Sequence, residues 1–193
     1  MNRIEALRSR GISCALYDDP INIRYLTGYT GEGSLLVLPD RAVIITDFRY
    51  VEQAQRQSPF CDLERVDADR GTNAILAEAL AKAGLHELAI EENIVTVSRL
   101  HAMEKALPGI HLTALPETVL EMRTVKDEGE LDCIRKALAI SCQAFDDLLG
   151  VIHAGMTEKR ACAELNHFMN LRGSEGNAFD TIVASGVNGS LPH

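Results

Sequence analysis

The stretch SLLVLPDRAVIIT, residues 34–46, decides the fold. Ser34 to Leu38 and Ala42 to Thr46 are apolar, β-rich runs, and Pro39-Asp40-Arg41 between them supplies a turn, so the pair reads as a β-hairpin. Outward from the hairpin, strand and helix patterns alternate. Ile4 and Leu7 begin a helix that Gly11 caps at its C-terminal end, and Ile12 to Tyr17 reads as a strand that Asp18-Asp19-Pro20 breaks. Arg49 to Gln57 is helix-like, Thr72 to Ala83 is an Ala- and Leu-rich helix ending at Gly84, and Leu88 to Glu91 is a short strand. Thr96 caps a further helix through Leu107, stopped by Pro108-Gly109. Alternating strands and helices with one hairpin predict an α/β layer on a mixed sheet.

The pattern changes near residue 123. After the charged joint Arg123 to Asp127, Asp127 and Glu130 have capping-box spacing. Leu131, Ile134, Leu138, Cys142, Phe145, Leu149 and Ile152 then repeat at three- and four-residue steps as one apolar stripe of a long helix. Thr157 caps another helix, with Ala161, Leu165, Phe168 and Arg172 on one face and Gly173 at its end. The run Thr181-Ile182-Val183-Ala184 reads as a strand, followed by a Gly-rich loop and Leu191-Pro192-His193. Two helices and one strand are too little to close a core. Apolar surface is therefore expected to stay exposed over 134–152 and 165–168 unless a partner covers it.

Composition narrows the function classes. The chain has 193 residues, 46% hydrophobic and 24% charged, with 19 basic against 28 acidic residues and a net charge of -9. This is the make-up of a globular protein with a core, and it argues against nucleic acid, whose phosphates call for clustered Lys and Arg. No apolar run approaches the ~20 residues of a membrane span. The N-terminal MNRIEALRSRG reads as a short amphipathic helix without the apolar region of a signal peptide. Cys14, Cys61, Cys133, Cys142 and Cys162 are odd in number and form no CxxC, which fits buried free thiols in a reducing cytoplasm.

Most chemistry-bearing residues have a plain structural reading. Glu164 and His167 form a single ExxH pair, two ligands where a site needs at least three, so a polar helix face is favoured. Gly28 to Gly33 precedes a strand, whereas phosphate loops lead into helices, so it reads as a turn. That also counts against a nucleotide-binding doubly wound domain. Glu91-Glu92 and Asp146-Asp147 are neighbours whose side chains diverge and cannot share a metal or a proton. In Asp47-Phe48-Arg49-Tyr50, Asp47 is placed to cap a helix and Arg49 to pair with an acid. His86, His101, His111 and His153 have no partner of catalytic type at recognisable spacing. His193 stands apart by context, held by Pro192 after a Gly-rich loop.

Several stretches, in order, then resemble one family. They are Asn22 to Tyr29 (NIRYLTGY), Thr46 to Tyr50 (TDFRY), Arg123 to Leu131 (RTVKDEGEL), and Phe179 to Gly186 (FDTIVASG) closing on Leu191-Pro192-His193. Together they resemble the creatinase and aminopeptidase P family, the Xaa-Pro aminopeptidases and dipeptidases. The resemblance implies a creatinase-like N-terminal domain over 1–122, a mixed β-sheet flanked by helices. It implies that 123–193 holds the first helices and strand of an incomplete pita-bread α+β metallopeptidase domain. The implied parent enzyme hydrolyses the peptide bond preceding proline with two divalent ions, manganese, cobalt or zinc, and is a cytoplasmic homodimer. The family's metal ligands, Asp, Asp, His, Glu and Glu, all fall after the Pro-His, so none is assigned here and the chain is expected to be inactive alone. The resemblance makes His193 a catalytic residue that binds substrate and stabilises the oxyanion rather than a ligand. A non-catalytic binding or oligomerisation module, or a creatinase-type amidinohydrolase, remains an alternative on the same fold.

Overall fold

The computed structural model describes residues 2–190. The chain divides into two compact units, 1–125 and 126–193.

The first unit is built on six strands: β1 (Ala15–Tyr17), β2 (Ser34–Val37), β3 (Ala42–Asp47), β4 (Asp62–Val66), β5 (Glu87–Ile90) and β6 (His111–Ala114). Their order across the sheet is β4-β3-β2-β1-β5-β6. The expected hairpin is present: β2 and β3 pair antiparallel with Leu35 opposite Ile44, and the Leu38 N–H closes the turn on the Arg41 carbonyl at 2.8 Å. β2 is also antiparallel to β1, while β1–β5, β5–β6 and β3–β4 are parallel pairs. Five strands therefore end on one edge of the sheet, and only β2 begins there.

Six helices cover the sheet: α1 (Arg3–Ser9), α2 (Pro20–Thr27), α3 (Val51–Gln57), α4 (Thr72–Ala83), α5 (Val97–Ala106) and α6 (Thr118–Thr124). Successive strand residues alternate faces. Ala15, Tyr17, Leu35, Val37, Ala42 and Ile44 pack with Ile4 and Leu7 of α1, Ile23 and Leu26 of α2, and Val119 and Met122 of α6. Leu16, Leu36, Leu38, Val43 and Ile45 pack on the other face against Ile75, Leu76 and Leu80 of α4 and Met103 of α5. Burial on both faces is why the central strands read as unbroken apolar runs instead of alternating. Cys14 lies just outside β1, which starts three residues later than the apolar pattern.

Four elements lack an expectation from the sequence: α2, β4, β6 and α6. Asp18-Asp19-Pro20 ends β1 as expected, but it also starts α2. Asp19 is the N-cap, accepting from the Ile21 N–H at 2.9 Å, and Pro20 fills the first helical position, where a missing N–H costs nothing.

The second unit contains α7 (Glu128–Val151), α8 (Glu158–Leu171) and a 3-10 turn over Gly186–Ser190. The capping box is present: the Glu130 N–H donates to Asp127 at 2.8 Å, and the Asp127 N–H to Glu130 at 3.0 Å. Thr157 caps α8 by accepting from the Arg160 N–H, and Arg172 donates to Asp147 at 2.7 Å. In α7 the buried residues are Ala144 and Leu148. The long stripe lies elsewhere on the helix: Ile134, Leu138, Phe145, Leu149 and Ile152 are each about half or more exposed, from 48% to 61%. Leu165 and Phe168 are half-buried, so the apolar surface expected to stay exposed at 165–168 is exposed only in part.

Three further expectations are corrected. Residues 181–184 form no strand, because an apolar run needs a hydrogen-bonded neighbour and no described segment of this unit supplies one. Asp47 is not the N-cap of α3; that position is Tyr50, with no side-chain cap bond. The five thiols are free, but Cys133 and Cys142 are exposed on α7 and the others only half-buried.

Candidate functional site

His193, the one catalytic residue expected from the sequence, lies outside the described residues. The chain leading toward it is described as far as Ser190. Glu158, in the first turn of α8, accepts from the Ser185 N–H at 2.7 Å and from the Asn188 side chain at 2.9 Å. The Ser185 amide, then Asn188, hold the Glu158 carboxyl below its ordinary range. Asn166 and Thr181 join at 2.8 Å and fix the segment before it. Glu164 is engaged by Arg160 one turn earlier, and the exposed His167 ring lies tilted beside that of Phe168, so the ExxH pair is a helix face. Among the described residues, no three His, Cys, Asp or Glu side chains gather to hold a metal ion. They do not fit the dinuclear centre that the resemblance implies.

The polar residues of the first unit converge instead on the sheet edge where the parallel strands end. Glu91, just past β5, is 5% exposed. Its carboxylate accepts from the Asp18 and Asp19 N–H groups at 2.6 and 2.7 Å and from the Asn22 amide at 2.6 Å. Asn22 in turn accepts from Arg123 at 2.9 Å. This chain joins the β1–α2 corner to the end of β5 and to α6. Next to it, Asp18 accepts from Ser34 at 2.5 Å and from Arg99 of α5 at 2.7 Å. The buried charge of Glu91 is tolerated because both its oxygens meet donors, whereas on Asp18 one oxygen takes both donors and the other is buried without a partner among the described residues.

The Gly28 to Gly33 turn lies at the same edge. Gly28 takes a left-handed φ of 83° at the end of α2, and a Cβ on Gly33 would run into the Ile45 carbonyl. The Tyr29 hydroxyl donates to the Glu32 carbonyl at 2.8 Å. Arg49 pairs with Asp47 at 2.7 Å and with Glu32 at 3.3 Å, as its position predicts. The Arg49 hydrogen bonds hold the Asp47 carboxyl below its ordinary range. Burial pushes the Cys14 and Cys61 thiols up to about 11, the opposite of an activated nucleophile. The Ser34 hydroxyl does meet the Asp18 carboxylate, but Arg99 occupies the same oxygen and Ser34 is buried in β2. Their chemistry is to lock corners of the fold.

Comparison with known proteins gives this frame a family. The model of the Creatinase/Prolidase N-terminal domain matches residues 2–125. The chain belongs to that family. The remainder, residues 132–193, matches the Metallopeptidase family M24. A curated relative of this creatinase/prolidase chain, the uncharacterized peptidase YqhT of Bacillus subtilis, is 32% identical over 99% of the chain and 55% of its own length. The crystal structure of an X-Pro aminopeptidase from Thermotoga maritima is 34% identical with a TM-score of 0.89, covering 100% of this chain and 55% of that one. The Xaa-Pro dipeptidase of Bacillus anthracis is 32% identical with a TM-score of 0.92, covering 99% of this chain and 54% of that one. The chain thus spans about half the length of the relatives it matches. Its mixed α/β sheet is the one expected from the hairpin stretch.

The Glu91 network is what sequence reasoning missed. As a carboxylate pair Glu91-Glu92 offers no chemistry, yet Glu91 works alone as an acceptor of two backbone amides and the Asn22 side chain. The available signal was its place, at the end of an apolar strand and ahead of a loop.

Proposed function

We propose that this chain is the N-terminal portion of an Xaa-Pro peptidase, hydrolysing the peptide bond that precedes proline. The observation that carries the reading is the succession of matches in one chain: a creatinase/prolidase N-terminal domain followed at once by the start of an M24 metallopeptidase domain. Relatives named as Xaa-Pro peptidases favour this over creatinase. Residues 1–122 would be the N-terminal domain and 123–193 the beginning of a pita-bread catalytic domain. The parent would be a cytoplasmic homodimer acting on proline-containing peptides. Five free thiols suit a reducing compartment.

His193 is the residue of this chain assigned to the chemistry. An imidazole with a pKa near neutrality can donate a hydrogen bond to the carbonyl oxygen of the scissile bond as charge builds there. Two divalent ions, of manganese, cobalt or zinc, would belong to the parent enzyme. The family's ligands are expected after the Pro-His, so the 193-residue chain alone should cleave no Xaa-Pro dipeptide.

A chimera tests both halves of the reading. Residues 1–193 replace the matching half of the Bacillus anthracis Xaa-Pro dipeptidase. The chimera is expected to cleave an Xaa-Pro dipeptide with manganese, and His193→Ala to lower kcat by about 100-fold or more. A chimera that melts cooperatively yet cleaves nothing, or a His193→Ala variant as fast as its parent, would contradict the proposal.

A further inference from the structure

The sheet has a topological switch point. β1 and β5 are adjacent and parallel, and the helices that follow them lie on opposite faces. α2 packs its Ile23 and Leu26 with Tyr17, while α5 packs its Met103 with Leu16. In open α/β sheets the crevice outside the carboxyl ends of such a strand pair is where ligands bind. A cleft of about 190 Å³ lies at that place, between the ends of β1 and β5 and helix α6. It is smaller than the roughly 300–1,000 Å³ of sites for drug-sized molecules.

One wall of the cleft is unfinished in its hydrogen bonding. Tyr17 is 2% exposed and lines the cleft, and its hydroxyl has no partner among the described residues. Burial and then the nearby Glu91 carboxylate raise its pKa, so it stays protonated and remains a donor in want of an acceptor. The other lining groups divide by charge. Arg123 spends one nitrogen on Asn22. Glu91 is satisfied by its three donors, and Asp19 holds the Ile21 N–H. Glu92 and Glu117 are exposed lining carboxylates, and Leu120 and Leu115 add apolar surface.

We propose that this cleft binds a small zwitterion of amino-acid size. Its carboxylate takes the Tyr17 hydroxyl and the Arg123 guanidinium, its ammonium faces Glu92 and Glu117, and its side chain lies on Leu115 and Leu120. One cation and one buried donor suit a single carboxylate, and the two exposed acids suit a cation beside it. The site is independent of the peptidase reading, because every group in it lies within residues 17–123.

The test is a titration of the 193-residue chain with L-proline and L-alanine, followed by the backbone amide resonances of Tyr17, Asn22 and Glu92. Saturable shifts are expected at concentrations up to about 10 mM, the range of a site this small. Acetate and methylammonium, each half of the zwitterion, should bind at least about tenfold more weakly, one charged interaction being worth about that factor. Tyr17→Phe should weaken binding about tenfold and leave the Tm unchanged or higher, since the lost hydroxyl has no partner to abandon. No saturable shift, acetate binding as tightly as L-proline, or equal affinity in Tyr17→Phe would each overturn the site. A resting water on Tyr17 would give the first of these outcomes.

Discussion

Residues 1–125 and residues 126–190 solve the same problem to different degrees. In the first region a six-stranded sheet carries helices on both faces, and Leu16, Leu35 and Leu36 are wholly buried. In the second, a 24-residue helix buries Ala144 and Leu148 and leaves Leu138 61% and Phe145 52% exposed. Both helices there are well specified locally, by a capping box and by a Thr cap. Local signals thus set where a helix starts and stops, while burial depends on how many layers the fold supplies.

The sharpest way to break this contrast is to truncate one leucine in each region. Leu36→Ala, in the centre of β2, should cost about 4 kcal/mol through lost burial and a cavity. Leu138→Ala should change stability by less than about 0.5 kcal/mol, because that side chain is exposed. Urea unfolding of both variants measures the pair, and equal losses would end the distinction. Glu91→Ala tests the polar lock of the first region. It strands the Asp18 and Asp19 amides and the Asn22 side chain, so a loss of about 2–3 kcal/mol is expected by the same assay.

A smaller effect belongs to the second region. Glu158 has its pKa lowered by the Ser185 amide and Asn188. A carboxylate with a depressed folded pKa contributes stability that is present above its unfolded value, about 4.3, and is lost as pH falls through the lower folded value. The 185–188 turn should therefore loosen in acid, seen as faster exchange of the Ser185 amide below about pH 4, with Glu158→Gln much less sensitive.

Much of the first region was legible in the sequence. Continuous apolar runs marked β2 and β3, and caps marked α4 and α5. The edge strands were not legible. Asp62 to Val66 and His111 to Ala114 carry few apolar residues, and their register comes from the neighbours β3 and β5. α2 was hidden because Asp-Pro signals both the end of a strand and the start of a helix. Glu91 escaped because its partners lie 69 to 73 residues away in the chain. In the second region the apolar run at 181–184 misled, since strand propensity without a neighbouring strand makes no ladder. His193 rests on the resemblance alone and lies outside the described residues.

Hydrogen exchange on the 193-residue chain tests the central contrast most directly. Amides of Leu36 and Ile44 should exchange only through global opening, and those of Ala144 and Leu148 at least about 1,000-fold faster through local opening of α7 and α8. Equal protection in the two regions would contradict the contrast between a sheet buried on both faces and a helical region whose apolar stripe is exposed.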